Sequence, residues 1–138
     1  MQINLRRTAE PFQFEAENED GFTFTLDAGT AAGGGGKGFR PMQTVLAGIG
    51  SCSVFDLVAI LKKQKQPVED ITVKVDAERD RDATPSPFTA INITYQIKGA
   101  VDRKKAERAA ELAVTKYCSV GASLDPAIKI TWDTVITE

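Results

Sequence analysis

The length and composition of the chain are those of one soluble globular domain. Its 138 residues are 42% hydrophobic and 26% charged, which are ordinary values for such a domain, and we expect a single domain over residues 1–138. A net charge of -2 gives no electrostatic reason to expect nucleic acid or an anionic membrane as partner. The chain contains no histidine, which excludes Ser-His-Asp and Cys-His catalysis, histidine zinc sites and His-ligated haem.

The N-terminal part of the chain predicts three β-strands. Residues 1–7 alternate weakly between apolar and polar, and two further runs alternate clearly. Their apolar positions are Phe12, Phe14, Phe22, Phe24 and Leu26. The Asp20-Gly21 pair between these two runs is a strong hairpin signal. One apolar and one polar face on each strand is typical of an antiparallel sheet that is covered on one side.

A glycine-rich segment, Gly29–Gly38, comes after the strands. Six glycines in ten residues predict a mobile loop, because ordering them costs much backbone entropy. The segment does not fit a phosphate-binding loop, which needs GxxxxGK followed by Ser or Thr. Ala31 stands where the first glycine is required and Gly38 where the hydroxyl is required, so we expect no nucleotide here.

The rest of the chain is organised around a long helix within residues 40–66. Pro41 suits its first turn, and Pro67 stops it after a group of lysines that complement the negative end of the helix dipole. Between positions 44 and 61 the only charged residue is Asp56. A helix that is apolar on nearly all sides is buried, and it needs more cover than one small sheet offers. We therefore expect it to pack against its own copy in a homodimer.

Cys52 lies near the middle of this helix among small residues that include Gly48 and Gly50. A glycine inside a helix costs about 1 kcal/mol relative to alanine, so two of them indicate that something approaches closely. That neighbour is either another structural element or a small substrate that reaches the thiol. The plainer interpretation is that Cys52 is a small buried apolar side chain, as most free cysteines are.

The C-terminal half predicts two strands, a second helix and a last strand. Alternation over 71–75 and 88–98 marks the two strands, and 128–136 marks the last one. The second helix starts at Asp102 with an apolar stripe of Ala106, Ala109, Ala110, Ala113 and Tyr117. The predicted order is βββ-α-ββ-α-β with the strands in antiparallel pairs, which is an α+β fold.

The cysteine usage favours a reducing compartment. The chain has two cysteines, Cys52 and Cys118, and its first residues show neither an apolar core nor a cleavage site. Two thiols without a secretory signal are more often reactive or free than a structural staple. We expect a cytoplasmic protein, and a structural disulfide in an oxidising compartment is the disfavoured alternative.

The two cysteine contexts resemble those of the OsmC/Ohr family, and among its branches the sequence looks most similar to the YhfA type. The matching motifs are Pro41-Met42, Leu46-Ala47-x-x-Gly50-Ser51-Cys52-Ser53, Asp56-x-x-x-Ile60-Leu61, Glu78-Arg79, Phe88-Thr89-x-Ile91-Asn92 and Lys116-Tyr117-Cys118-Ser119-Val120. They extend over essentially the whole chain. Two cysteines in matching contexts at a matching separation are far more specific than one short motif.

The resemblance implies an intertwined homodimer whose long central helices are buried and whose cysteines meet near the subunit interface. It also implies that Cys52 is the peroxidatic residue and Cys118 the resolving residue of a hydroperoxide reductase. A thiol or dithiol reductant would then restore the pair. Such chemistry needs no metal, histidine or prosthetic group, because the thiol, sulfenic acid and disulfide are formed by the side chains themselves.

The sequence departs from the peroxidase branches of the family beside the helix start. Those branches carry a glutamate after the opening proline, which positions an arginine over the thiolate; here Met42 and Gln43 come after Pro41. The candidates for stabilising a thiolate are Arg79, Arg40 and Lys116, with Glu78 beside Arg79. The departure favours an alternative function, a non-catalytic dimer that binds a small apolar or sulfur-containing ligand near Cys52.

Overall fold

The computed structural model describes residues 1–138 as six strands, three α-helices and two short irregular helices. The strands are β1 Ile3–Ala9, β2 Gln13–Asn18, β3 Thr23–Leu26, β4 Asp70–Arg79, β5 Phe88–Lys98 and β6 Lys129–Thr137. The α-helices are α1 Pro41–Lys63, α2 Arg103–Leu112 and α3 Ser119–Ala122. The predicted α+β class and the order βββ-α-ββ-α-β are thereby confirmed, and the single turn α3 lies where the second helix gives way to β6.

The chain divides into two compact units, and the first is Met1–Val45. Its sheet has the order β1-β2-β3 with antiparallel pairing throughout. The turn between β2 and β3 is fixed by Asn18, whose Oδ1 accepts backbone N–H groups from Asp20 (3.0 Å) and Phe22 (2.9 Å). Gly21 adopts φ +82°, a conformation that other residues rarely take. The predicted hairpin is confirmed.

The glycine-rich segment folds around a buried carboxylate, which its composition did not predict. The buried carboxylate of Asp27 accepts backbone hydrogen bonds from Ala28, Gly35 and Lys37 at 2.8–3.1 Å. The hydrogen bond from Lys37 is the main reason that the pKa of Asp27 lies below its usual value. A side chain at Gly34 would collide with the carbonyl oxygen of Ala28. The glycines therefore allow the backbone to fold tightly around one charged side chain.

The second unit, Leu46–Glu138, contains a sheet of order β4-β5-β6. Strands β4 and β5 pair antiparallel, whereas β5 and β6 pair in parallel from Ala90 opposite Lys129 to Lys98 opposite Thr137. The prediction that all strands pair antiparallel is therefore wrong for β6. Helix α2 and the residues after it carry the chain back along the sheet before β6 starts, and such a crossover produces a parallel neighbour.

The core of the second unit lies on one face of β5 and one face of α2. Ile91, Ile93, Tyr95 and Ile97 of β5 are fully buried, as the alternation predicted. Phe88 is buried as well, although it falls outside this alternation, because the register between β4 and β5 shifts next to it. Asp102 caps α2 by accepting the Lys105 N–H at 2.9 Å, which confirms the predicted start.

The predicted apolar stripe of the second helix fails at its last member. Ala106, Ala109, Ala110 and Ala113 are fully buried, but Tyr117 is 47% exposed. Residues Ala113–Tyr117 form one π-helical turn. Such a turn adds a residue to the helical repeat and rotates the later residues away from the expected face, so Cys118 is buried instead.

Helix α1 is buried on one side only within the single chain. Its buried residues are Ile49, Gly50, Ser53, Leu57 and Leu61. Phe55 is 72% exposed and Val58 is also exposed, so burial on all sides is not reached in one chain. By length and composition alone, Pro41–Lys63 could also cross a membrane. A single helix of this kind is weak evidence, because core helices of soluble proteins have the same properties.

Candidate functional site: a pair of neighbouring thiols

Cys52 is half-buried on α1, and its small neighbour Gly50 serves helix–sheet packing. A Cβ added at Gly50 would lie 2.9 Å from Cγ2 of Val75 on β4, closer than side chains tolerate. The glycine therefore lets the backbone of α1 approach the sheet. The sequence analysis inferred a close neighbour from the two glycines, and at Gly50 that neighbour is strand β4. At Gly48 the nearest atom is Val120 Cγ1 at 3.7 Å, an ordinary contact.

Cys118 lies at the break between the π-helical turn and α3. Its side chain is 4% exposed, and it caps α3 by accepting the Gly121 N–H at 3.2 Å on Sγ. The thiol in turn points toward the carbonyl oxygen of Ile49 on α1, 4.0 Å away. The backbone of α3 and the backbone of α1 thus hold the Cys118 sulfur from two directions.

The fold brings Cys118 next to Cys52, although the two are 66 residues apart in the chain. Ile49, which the Cys118 thiol faces, precedes Cys52 by three residues and so shares its helix face. The Cys52 side chain lies close enough to contribute to the raised pKa of Cys118. Both thiols are free.

The pKa of Cys118 is raised from its ordinary value. Burial is the largest cause, since it disfavours the thiolate, and the neighbouring Cys52 adds to the effect. The hydrogen bond from the Gly121 amide acts in the opposite direction without cancelling it. Cys118 is therefore a protonated thiol at neutral pH.

Tyr95 is a residue of this site that the sequence analysis placed only in the core. Its side chain is fully buried, and its hydroxyl makes no hydrogen bond to another group of the protein. Ser53 on α1 lies near this hydroxyl, but its own hydroxyl donates to the Gly50 carbonyl at 3.1 Å. Burial, followed by the charges of Cys118 and Asp56, raises the pKa of Tyr95 to about 12. An uncharged phenol therefore lies beneath the thiols.

None of the predicted thiolate-stabilising residues of the second unit forms a hydrogen bond with either sulfur. Arg79 uses Nε and Nη2 to bind the Ser86 carbonyl at 3.0 and 2.8 Å, which ties the β4–β5 connection together. Glu78 beside it is exposed and forms no ion pair. The Nζ of Lys116 lies 5.3 Å from the centre of the Tyr117 ring. These positions belong to the surface, and their contribution to catalysis stays a prediction.

The residues at the start of α1 belong to the first unit and have local roles there. Gln43 accepts the Arg40 backbone N–H through Oε1 at 3.0 Å, as the third residue of a helix does in a capping box. The Arg40 side chain lies beside Gly29. Gln43 thus accepts the hydrogen bond that a glutamate would accept in a capping box, but it carries no negative charge.

No group of three or more Cys, Asp or Glu side chains is arranged to hold a metal ion. The reactive side chains at the site are two thiols and a phenol, so the chemistry that they support is thiol chemistry.

Comparison with known proteins identifies the family of the chain. The sequence profile of the family described as OsmC-like protein matches residues 34–133, so the chain belongs to the OsmC-like family. Protein YhfA of Escherichia coli K12 is 39% identical over 124 residues, which cover 88% of each chain.

Solved structures share this fold. A hypothetical protein from Aquifex aeolicus is 33% identical and superposes with a TM-score of 0.82 over 99% of this chain and 97% of its own. An organic hydroperoxide resistance protein from Legionella pneumophila superposes with a TM-score of 0.73 over 98% and 97% of the two chains. That protein is 17% identical, so its likeness concerns the fold alone.

Proposed function

We propose that this protein is a thiol-dependent hydroperoxide reductase in which Cys52 attacks the peroxide and Cys118 resolves the product. The observation that carries the proposal is the proximity of two free thiols from distant parts of the chain, one half-exposed and one buried. Membership of the OsmC-like family supports it, since a structural relative is named for organic hydroperoxide resistance.

In the proposed reaction the Cys52 thiolate attacks one peroxide oxygen and the O–O bond breaks. The alcohol leaves after taking up a proton, and Cys52 becomes a sulfenic acid. The Cys118 sulfur then attacks the Cys52 sulfur; its proton and the departing hydroxide form water, and a disulfide remains. Two reductant thiols reduce that disulfide and are themselves oxidised to a disulfide. Recycling by thiols suits the cytoplasmic location expected from the sequence.

The proposed active form is a homodimer, and the whole chain is proposed to act as a single domain. Apolar side chains on α1, such as Phe55 and Val58, are exposed in one chain. All seven residues of β1 are exposed as well, including Ile3 and Leu5. Exposed apolar side chains in such number are typical of an interface, and a second copy is the partner that the family resemblance implies.

A second candidate function is non-catalytic binding of a small apolar or sulfur-containing ligand near Cys52. The observation that favours it is the position of Arg79, whose guanidinium is committed to the Ser86 carbonyl. A free thiol is only a few per cent ionised at neutral pH, so a site without a cation is a weak nucleophile.

The deciding experiment measures consumption of cumene hydroperoxide by the wild type, Cys52→Ser and Cys118→Ser, with a dithiol as reductant. We expect turnover in the wild type and none above background in Cys52→Ser. Cys118→Ser should consume about one equivalent and then stop or proceed to sulfinic acid.

The product is checked by mass spectrometry of the protein treated with one equivalent of peroxide. The mass should fall by about two hydrogens, and peptide mapping should place the bond between Cys52 and Cys118 of one chain. Wild-type protein that consumes no peroxide, yet binds an apolar sulfide in a manner abolished by Cys52→Trp, would support the binding function instead.

A further inference from the structure

The hydroxyl of Tyr95 is a fully buried polar group that makes no hydrogen bond within the protein. The nearby Ser53 donates its own hydroxyl proton to the Gly50 carbonyl at 3.1 Å instead. An unpaired buried hydroxyl lowers stability, and a phenylalanine would fill the same space without that cost. The Tyr95 hydroxyl is therefore a hydrogen-bond donor that the reduced protein leaves free.

The strand register places Tyr95 between α1 and the turn that carries Cys118. Its neighbour on the same face of β5, Ile93, pairs with Val75 on β4 and with Trp132 on β6. Val75 lies against the backbone of α1. Trp132 and Cys118 line the same cavity of about 270 Å³. The phenol is thus in the layer between the sheet and the two thiols.

Among the ionisable side chains around the phenol, Cys118 is the strongest neighbour. Burial is the main cause of the raised pKa of Tyr95, and of the charges Cys118 contributes more than Asp56 and Cys52 on α1. The Cys118 sulfur accepts one hydrogen bond from the backbone, from the Gly121 amide at 3.2 Å. A second donor near this sulfur is therefore available in the phenol, and it is unused while the thiol is protonated.

The proposed resolving step requires Cys118 to lose its proton inside the protein. Burial raises the pKa of Cys118 and so disfavours the thiolate that must develop as its sulfur bonds to Cys52. Lys116 is the cation nearest in sequence, but its Nζ lies over the Tyr117 ring. A hydroxyl can stabilise a buried thiolate without a second buried charge, because hydrogen bonds to an ionised acceptor are stronger than those to a neutral one.

We propose that Tyr95 is a catalytic residue of the resolving step, in which its hydroxyl donates a hydrogen bond to the developing thiolate of Cys118. This inference rests on the proposed function, whose second step it describes. The Cys118 sulfur bonds to the Cys52 sulfur, the S–O bond of the sulfenic acid breaks, and the hydroxide leaves as water with the Cys118 proton. The phenol keeps its own proton, since its pKa is raised to about 12. A hydrogen bond that forms only during the reaction accelerates it, because the resting state does not share the stabilisation.

The test isolates the attack by Cys118 and needs no peroxide. 4,4′-Dithiodipyridine reacts first with the more exposed Cys52, which releases one thiopyridone and leaves a pyridyl disulfide. Cys118 then attacks the Cys52 sulfur, expels the second thiopyridone and forms the disulfide, so absorbance follows both steps. Tyr95→Phe should slow the second release at least about tenfold, the value of a hydrogen bond to a charged group, and leave the first within about twofold.

Tyr117→Phe is the matched control, because it makes the same change beside Cys118 on an exposed ring. Both releases should keep the wild-type rate in this variant. A pH series separates a hydrogen bond from a structural defect. The deficit of Tyr95→Phe should shrink as the pH approaches the pKa of Cys118, since the thiolate then forms without a donor. Equal second releases in Tyr95→Phe and the wild type, or a deficit that does not shrink, would overturn the proposal.

Treatment with peroxide provides a second arm. A slow resolving step should leave more Cys52 as sulfinic acid in Tyr95→Phe than in the wild type or Tyr117→Phe. Failure of the proposed function gives a different result: no protein consumes peroxide, yet the second release still slows in Tyr95→Phe. A wild type that shows no second release would overturn the inference, because Cys118 would then not attack Cys52.

Discussion

Cys52 and Cys118 are neighbours in the fold but are held in opposite ways. Cys52 is part of a regular helix, half-exposed, on an element whose outer face carries exposed apolar side chains. Cys118 is at an irregular break, almost fully buried, with its sulfur fixed by the Gly121 amide. This difference fits the proposed division of roles, in which the half-exposed Cys52 attacks the peroxide and the buried Cys118 resolves the product.

The largest expected effect concerns the exposed side of the Cys52 helix. Phe55→Glu should weaken self-association at least about a hundredfold, because two phenylalanines per dimer lose about 1.5–3 kcal/mol each of burial. Light scattering against concentration measures it, and Lys63→Glu on the same helix is the control. A wild-type protein that is monomeric at high micromolar concentration would contradict the dimer.

Tyr95→Phe tests the burial of the phenol that lies near the two thiols. The pKa of Tyr95 is raised from 10.0 to about 12 in the folded protein. Below pH 10 the phenol is neutral in both the folded and the unfolded state, so the free energy of unfolding is unaffected by its ionisation. As the pH rises from 10 to 12 only the unfolded state ionises, which lowers the free energy of unfolding by about 2–3 kcal/mol. Removing an unpaired hydroxyl should change stability at pH 7 by no more than about 1 kcal/mol.

Urea unfolding at pH 8, 10 and 11.5 measures this effect. Both proteins carry Cys118→Ser, because the raised pKa of Cys118 adds a loss of the same sign at high pH. Tyr95→Phe should show the shallower fall, and parallel curves would mean that the phenol ionises freely in the folded state.

The close contact that places Cys52 over the sheet is tested by Gly50→Val. Overpacking against Val75 should destabilise the fold by about 1–3 kcal/mol. Adding Val75→Ala should recover part of that loss, because it removes the side chain that the new valine meets. If the loss came only from a change in helix propensity, Val75→Ala would recover none of it. Chemical denaturation of the two single variants and the double variant gives the coupling.

The smallest expected effect tests whether either sulfur uses the predicted cation. Arg79→Met should leave the rate of peroxide consumption within about twofold of the wild type, because the guanidinium binds the Ser86 carbonyl. It should lower stability by about 1 kcal/mol through the lost hydrogen bonds. A rate that falls tenfold with unchanged stability would place Arg79 in the catalytic machinery after all.

The amino-acid sequence by itself determined the local features of this protein. Period-two alternation predicted β5, Asp102 predicted the start of α2, and Pro41 the start of α1, because these signals depend only on neighbouring residues. The contexts of Cys52 and Cys118 were also sufficient for the family, which the comparisons confirm.

Only the tertiary structure decided how distant parts meet. The π-helical turn that exposes Tyr117 inserts one residue into the helical repeat, and the regular alanine stripe up to Ala113 gives no signal for it. The parallel pairing of β6 results from the path of the chain across the sheet. The placement of Tyr95 beneath the thiols and of the cavity beside Cys118 arises from contacts between residues far apart in sequence, which no short pattern encodes.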